Sequence, residues 1–169
     1  MMCGGGCVIQ LFLLSLQNNT DFMSKVVALY HIVINTKGRL MTIRREHCED
    51  MYRMITSVIK RNNCVLYRIG GIENHIHILL DLSPTVTLSH LVWDIKRSSS
   101  DWAKKSGLFP EFMGWGKEYG AFSISVTHRD SVIEYIKSQP IHHGRVSFED
   151  EYRHLMERNG VEWIDQMLT

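Results

Sequence analysis

The sequence predicts an α+β fold: a four-stranded antiparallel sheet in the ferredoxin-like, split β-α-β arrangement, with helices packed on it and further helices at the C-terminal end. Three observations carry this. Four short stretches have the composition or alternation of strands, and two stretches between them have helical spacing. The middle two strands are also too close in sequence to pair other than antiparallel.

The first strand is read over 26–36, "VVALYHIVINT", rich in β-branched and aromatic residues and closed by the turn "KGR". Between Glu46 and Arg61, Met51, Met54, Ile55, Val58 and Ile59 recur at helical spacing. "CVLYRIGGI" (64–72) is the second strand, and Gly70-Gly71 near its end suggest a bulge or turn. "HIHILLDL" (75–82) is the third. "SPT" breaks the chain before a long helix with Leu88, Leu91, Val92, Ile95 and Trp102 on one side. In "AFSISV" (121–126), Phe122, Ile124 and Val126 alternate with serines, the period of a half-buried strand. Thr127-x-x-Asp130 resembles a capping box and opens a helix through about Gln139, where Pro140 follows. A last helix is expected over Phe148–Arg158, with Gly160 just beyond it.

At 169 residues, 44% apolar and 22% charged, with formal net charge +1, the chain fits one soluble globular domain. Near-neutral charge neither demands nor excludes nucleic acid, because basic residues can still gather on one face. Cys3, Cys7, Cys48 and Cys64 form no C-x-x-C pair, which points to reduced thiols rather than a zinc site or a disulfide framework. Residues 1–22 stand apart. Their apolar run, Val8 to Leu16, is far short of the ~20 residues that span a bilayer, and no basic residue precedes it. The expectation is a leader that is disordered or not native, followed by one domain over 23–169 and no membrane segment.

Side chains alternate along a strand, so His75 and His77 share one face and Ile76 takes the other. Two imidazoles so placed can grip one metal ion, and Glu73 has the parity to join them. The same pair also serves for hydrogen bonding at a sheet edge, and two ligands do not make a site. The helix after the fourth strand offers more. Val132, Ile133 and Ile136 form its apolar stripe, and His128, Ser131, Tyr135, Ser138, Gln139 and His142 occupy one shoulder. Tyr135 and Gln139 are neighbours at i and i+4.

Basic residues fall in two groups. Arg39, Arg44 and Arg45 follow the first strand, and Lys96, Arg97, Lys104 and Lys105 lie on the long helix away from its apolar stripe. Either group alone reads equally as a solvated face; together they favour contacts with DNA phosphates. Trp93, Trp102 and Trp115 are candidates for base stacking, although Trp102 also fits the core stripe.

"GGIENHIHILLDL", "GAFSISV", "YIKSQPIHH" and "FEDEYRHLMERNGVEW" occur in the order and spacing of single-tyrosine HUH transposases. The chain resembles that family, which includes insertion-sequence transposases and REP-associated tyrosine transposases, from about Met23 to Trp163. The resemblance implies an HUH endonuclease fold and a bacterial, cytoplasmic enzyme. It implies that His75, His77 and Gln139 bind the metal, Mg²⁺ or Mn²⁺, and that Tyr135 is the nucleophile. It further implies single-stranded DNA with imperfect hairpins as substrate, and a homodimer whose subunits share active sites. His142 and His143 match a recurring pair.

The chemistry suits these residues. A phenol with pKa ~10 is about one-thousandth ionised at neutral pH, and a cation on a phosphate oxygen offsets that weakness. Attack by Tyr135 gives a 5′-phosphotyrosine that stores the energy of the broken bond for rejoining. Imidazole leans toward softer ions than Mg²⁺, which favours Mn²⁺. Two alternatives share these residues: a domesticated relative that processes chromosomal palindromes, and a nucleic-acid-binding module without catalysis.

Overall fold

Strand alternation gives the sheet two chemically different faces. The structure is a computed structural model that describes residues 26–139 and 147–163. The expected leader over 1–22, together with His142 and His143, lies outside the described residues. The strands are β1 (Leu29–Asn35), β2 (Val65–Ile72), β3 (His75–Asp81) and β4 (Gly120–Ile124). Their order is β2-β3-β1-β4, with every neighbouring pair antiparallel. β1 and β2 therefore run parallel with β3 inserted between them, which is the split β-α-β arrangement.

On the first face lie helices α1 (Cys48–Arg61) and α2 (Leu88–Ser106). Ile32 and Ile34 of β1 and Ile76, Ile78 and Leu80 of β3 point into one apolar cluster with Met51, Ile55, Val58 and Ile59 of α1 and Leu91, Val92 and Ile95 of α2. Such burial yields roughly 1.5–3 kcal/mol per large aliphatic side chain. The Thr87 hydroxyl accepts from the His90 N–H at 3.3 Å to start α2, and Gly107 ends it in the left-handed conformation at φ 69°.

On the second face lie α3 (Arg129–Lys137) and α4 (Phe148–Arg158). Val33 and Phe122 project toward Phe148, Tyr152 and Met156 of α4. The Ser147 hydroxyl accepts from the Asp150 N–H at 3.1 Å, and Glu149, Asp150 and Glu151 place negative charge in the first turn, where the helix dipole favours it.

Several local expectations change. The bulge in β2 falls between Leu66 and Arg68, not at the glycine pair. Gly70 instead lets α3 approach: a Cβ there would stand 3.0 Å from Ile136 Cγ2 and 3.1 Å from the Ile136 carbonyl oxygen. Thr127 and Asp130 form no capping box. The Ser125 hydroxyl accepts from the Thr127 N–H at 3.4 Å, a 3₁₀ turn over Val126–His128 precedes α3, and the Asp130 carboxylate accepts from Arg129 at 3.0 Å. β1 begins at Leu29 rather than Val26, and β4 ends at Ile124; Val26, Val27 and Val126 stay exposed and join neither apolar cluster. Among the described residues, no helix is long and apolar enough to cross a membrane.

Candidate active site

β3 carries His75 and His77 on the second face, both fully buried. Each ring is anchored through its δ nitrogen. His75 Nδ1 meets Asn74 Oδ1 at 2.7 Å, and His77 Nδ1 meets Nε2 of His31 on β1 at 3.0 Å. Burial first, then the neighbouring His77, lowers the pKa of His31 to about 3, so that ring stays neutral and orients its neighbour without adding charge. The ε nitrogens of both His75 and His77 are thereby turned toward α4.

The carboxylate of Glu151 meets them there. Its Oε2 lies 3.4 Å from His75 Nε2 and its Oε1 lies 3.5 Å from His77 Nε2. One ligand atom from each of these three residues lies within 4.8 Å of the others. Glu151 Oε1 also accepts hydrogen bonds from the Tyr135 hydroxyl and from Gln139 Nε2, the latter at 2.6 Å. The Tyr135 ring stands edge-on to His77, at 5.7 Å and 90°. Burial, followed by the Glu151 charge and its hydrogen bond, raises the Tyr135 pKa above the ordinary phenol value. The phenol is therefore held protonated beside its acceptor.

This donor set fits a divalent cation. His77 Nε2 and Gln139 Oε1 are buried and make no hydrogen bond among the described residues, which is costly unless another partner is intended. Two imidazoles and one carboxylate converge, with the Gln139 amide bonded to that carboxylate and the rings fixed from behind, as metal ligands are.

A family model described as "Transposase IS200 like" matches residues 24–139. The chain belongs to that family. The match includes β1 through Gln139, and so His75, His77, Tyr135 and Gln139, and it stops short of Glu151. A solved structure of a putative transposase from Deinococcus radiodurans R1 is similar at 20% identity and TM-score 0.54, covering 71% of this chain and 97% of that one. A REP-associated tyrosine transposase, solved bound to a REP hairpin, is similar at 15% identity and TM-score 0.55, covering 86% and 90%. At such identities these two structures bear on the fold, which they share with this chain. No curated protein sequence matches.

Within this transposase, the fold brings Tyr135, Gln139, His75 and His77 into one cluster, all from a single chain. Glu73 does not join them. It sits in the turn before β3, where strand parity no longer applies, and accepts from Arg45 Nε at 3.1 Å. Glu151 is the residue that sequence reasoning missed. The available signal was its position: Phe148, Tyr152 and Met156 form the buried stripe of α4, and an acidic residue three positions after Phe148 falls inside that stripe. A carboxylate on a buried face needs partners, and the two imidazoles, Tyr135 and Gln139 are those partners.

The basic candidates divide. Arg39, Arg44 and Arg45 lie in the loop tied to the start of β3, where the Thr42 and Ile43 N–H groups donate to the Glu73 carbonyl. Arg39 also stands 3.7 Å from Glu149 at the head of α4. Lys96, Arg97, Lys104 and Lys105 ride on α2, across the sheet from the histidines. The Lys96 ammonium donates to the carbonyls of Gly116, Lys117 and Glu118 at 2.8–3.1 Å, so it clamps the loop before β4. Arg97 lies over the exposed Trp93 ring at 5.0 Å. Trp115 is buried and donates to Ser99 Oγ at 2.8 Å, which makes it a core residue.

Proposed function

We propose that this transposase cleaves and rejoins single-stranded DNA at hairpin-bearing ends through a 5′-phosphotyrosine on Tyr135, with Mg²⁺ or Mn²⁺. The observation that carries the reading is the Tyr135 hydroxyl bonded to Glu151 in the same buried cluster as His75, His77 and Gln139. The residues that would hold the ion are His75 and His77 through Nε2, Glu151 through its carboxylate and Gln139 through Oε1. When bound, a divalent ion supplies positive charge that polarises the target phosphate and stabilises the departing oxygen. Glu151 changes the charge balance expected from neutral ligands alone: one carboxylate leaves a net +1 on the centre rather than +2.

The chain's own residues account for the remainder. The Tyr135 hydroxyl already donates to Glu151 Oε1, so the phenolic proton has an acceptor in place as the oxygen attacks. A bond forms between the phenolic oxygen and phosphorus, and the bond from phosphorus to the preceding 3′ oxygen breaks. The 3′ oxygen takes a proton from solvent and leaves as a hydroxyl. Reversal with a different 3′-hydroxyl reseals the strand, returning the proton to Tyr135. His31 and Asn74 hold the imidazoles in the orientation this requires.

The family membership supports DNA as the substrate, and the REP-hairpin complex of a similar structure supports a hairpin. Arg39, Arg44 and Arg45, on the loop beside β3, are the nearer basic candidates for its phosphates, and Arg97, Lys104 and Lys105 the farther ones. A cytoplasmic location in a bacterium accords with that substrate. The homodimer rests on the resemblance, and because one chain supplies every group in the cluster, exchange of the tyrosine helix is not needed to assemble it.

Labelled hairpin oligonucleotides incubated with protein and Mn²⁺, then run on a denaturing gel, test the reading. Wild type should give a covalent DNA adduct. Tyr135→Phe should bind the hairpin and lose the adduct by at least about a thousandfold. Adduct formation by Tyr135→Phe would refute Tyr135 as nucleophile. Mixing Tyr135→Phe with His77→Ala should restore no adduct if each chain completes its own site, and should restore it if the tyrosine helix is exchanged.

A further inference from the structure

Tyr135 has two sides. One side faces the buried cluster, and the other lines a cavity of about 400 Å³ between β4, α3 and α4. That volume falls in the range of about 300–1,000 Å³ typical of small-molecule sites. None of His75, His77, Gln139 or Glu151 lines it. A smaller cavity of about 240 Å³ adjoins it and shares Tyr135, Leu155 and Arg158 as walls while reaching Glu151. Together they form a groove that passes the nucleophile.

The lining of the larger cavity has a definite chemistry. Ile124, Val132 and Leu155 offer apolar surface, suited to the flat faces of a base. Ser131 and His128 on α3 and the turn before it offer polar groups, suited to a base edge or a sugar. Arg158 is the one permanently charged residue among those lining the cavity. It is exposed, and its guanidinium makes no ion pair or hydrogen bond among the described residues. An arginine with its donors uncommitted, beside an apolar slot, is a receptor for phosphate joined to a base.

We propose that this groove receives the nucleotide that stays bonded to Tyr135 after cleavage, with Arg158 gripping one of its phosphates. This rests on the strand-cleavage reading above and adds the subsite that reading lacks. After the 3′ end leaves, one nucleotide remains tethered to the phenolic oxygen and must be held until a new 3′-hydroxyl arrives. The residues on the cluster side of Tyr135 are buried, and the cavities on its other side offer room for a nucleotide. Arg158 therefore acts on the substrate as a binding and positioning residue, distinct from the metal-holding set.

The test uses the full chain and a fluorescein-labelled, randomised 12-mer of single-stranded DNA, with binding read by anisotropy and adduct read on denaturing gels with Mn²⁺. Arg158→Ala should weaken binding about five- to tenfold, and Arg158→Lys should recover most of that loss. Ser131→Trp, one helical turn before Tyr135 on the same shoulder, should fill the slot and weaken binding to a similar degree. Thermal unfolding at wild-type temperatures shows that both variants are folded. If one unfolds, the other decides. Wild-type affinity in a folded Arg158→Ala or Ser131→Trp variant, with adduct still formed by wild type, overturns the groove assignment and leaves the cleavage reading standing. Failure of wild type to bind the pool or to form an adduct on any hairpin tested overturns both.

Discussion

The two faces of the sheet are built from alternate residues of the same strands, yet they do opposite work. On the α1/α2 face, Ile76 and Ile78 are packed among aliphatic side chains in a single apolar cluster. On the α3/α4 face, their neighbours His75 and His77 are equally buried but surrounded by His31, Gln139 and Glu151. Burial is the same; its purpose differs. The first face gains stability from area removed from water. The second accepts the desolvation of several polar groups and recovers only part of it through hydrogen bonds, the pattern expected of a site rather than a core.

Adjacent residues on β3 make the sharpest test of that contrast. His77→Ala should lower metal-dependent adduct formation at least about a hundredfold while the thermal midpoint changes little. Ile78→Ala should do the reverse, costing about 2–5 kcal/mol of stability in urea unfolding while the folded fraction keeps its activity. Equal loss of stability in the two variants would erase the distinction between the faces.

Glu151 sharpens it further. A ligand that binds only the folded state raises stability by about 2.7 kcal/mol at a hundred times its dissociation constant. Thermal scans with and without Mn²⁺ should show a metal-induced rise in wild type that falls by more than half in Glu151→Gln. An undiminished rise would remove Glu151 from the metal centre.

Gly70 links the faces to the nucleophile. Its missing side chain lets α3 sit against β2, and an added methyl would press on Ile136, one residue after Tyr135. Gly70→Ala should cost about 1–3 kcal/mol by overpacking and should slow adduct formation several-fold as Tyr135 shifts. A variant as active and as stable as wild type would show that α3 has room to spare. The smallest effect on DNA chemistry belongs to Lys96, on the first face. Lys96→Ala should lower stability by about 1–3 kcal/mol through loss of its carbonyl contacts, with hairpin affinity unchanged. A large loss of affinity would return Lys96 to the DNA interface.

Much of this was legible in the chain. β3 was readable as a strand with both histidines on one face, and α4 spans the expected Phe148–Arg158, with Gly160 just beyond it. Tyr135 and Gln139 were readable as neighbours at i and i+4. The glycine pair reads as a bulge or a turn because a missing Cβ serves equally for a bend or for close approach of another element, and only the position of Ile136 shows the close approach at Gly70. A lysine on a polar helix face likewise gives no sign of the carbonyls of Gly116, Lys117 and Glu118 that Lys96 meets.

By itself, then, the sequence determined the order of strands and helices and the shared face of His75 and His77, because these follow from periods of two and 3.6 that are local along the chain, while the resemblance to the family singled out His75, His77, Tyr135 and Gln139. Only the tertiary structure decided that Glu151 closes the cluster, that one chain supplies all of it, and that Arg158 stands beside Tyr135. Those contacts join residues from separate elements, and their existence depends on how α4 seats against β1 and β4, which no local period encodes.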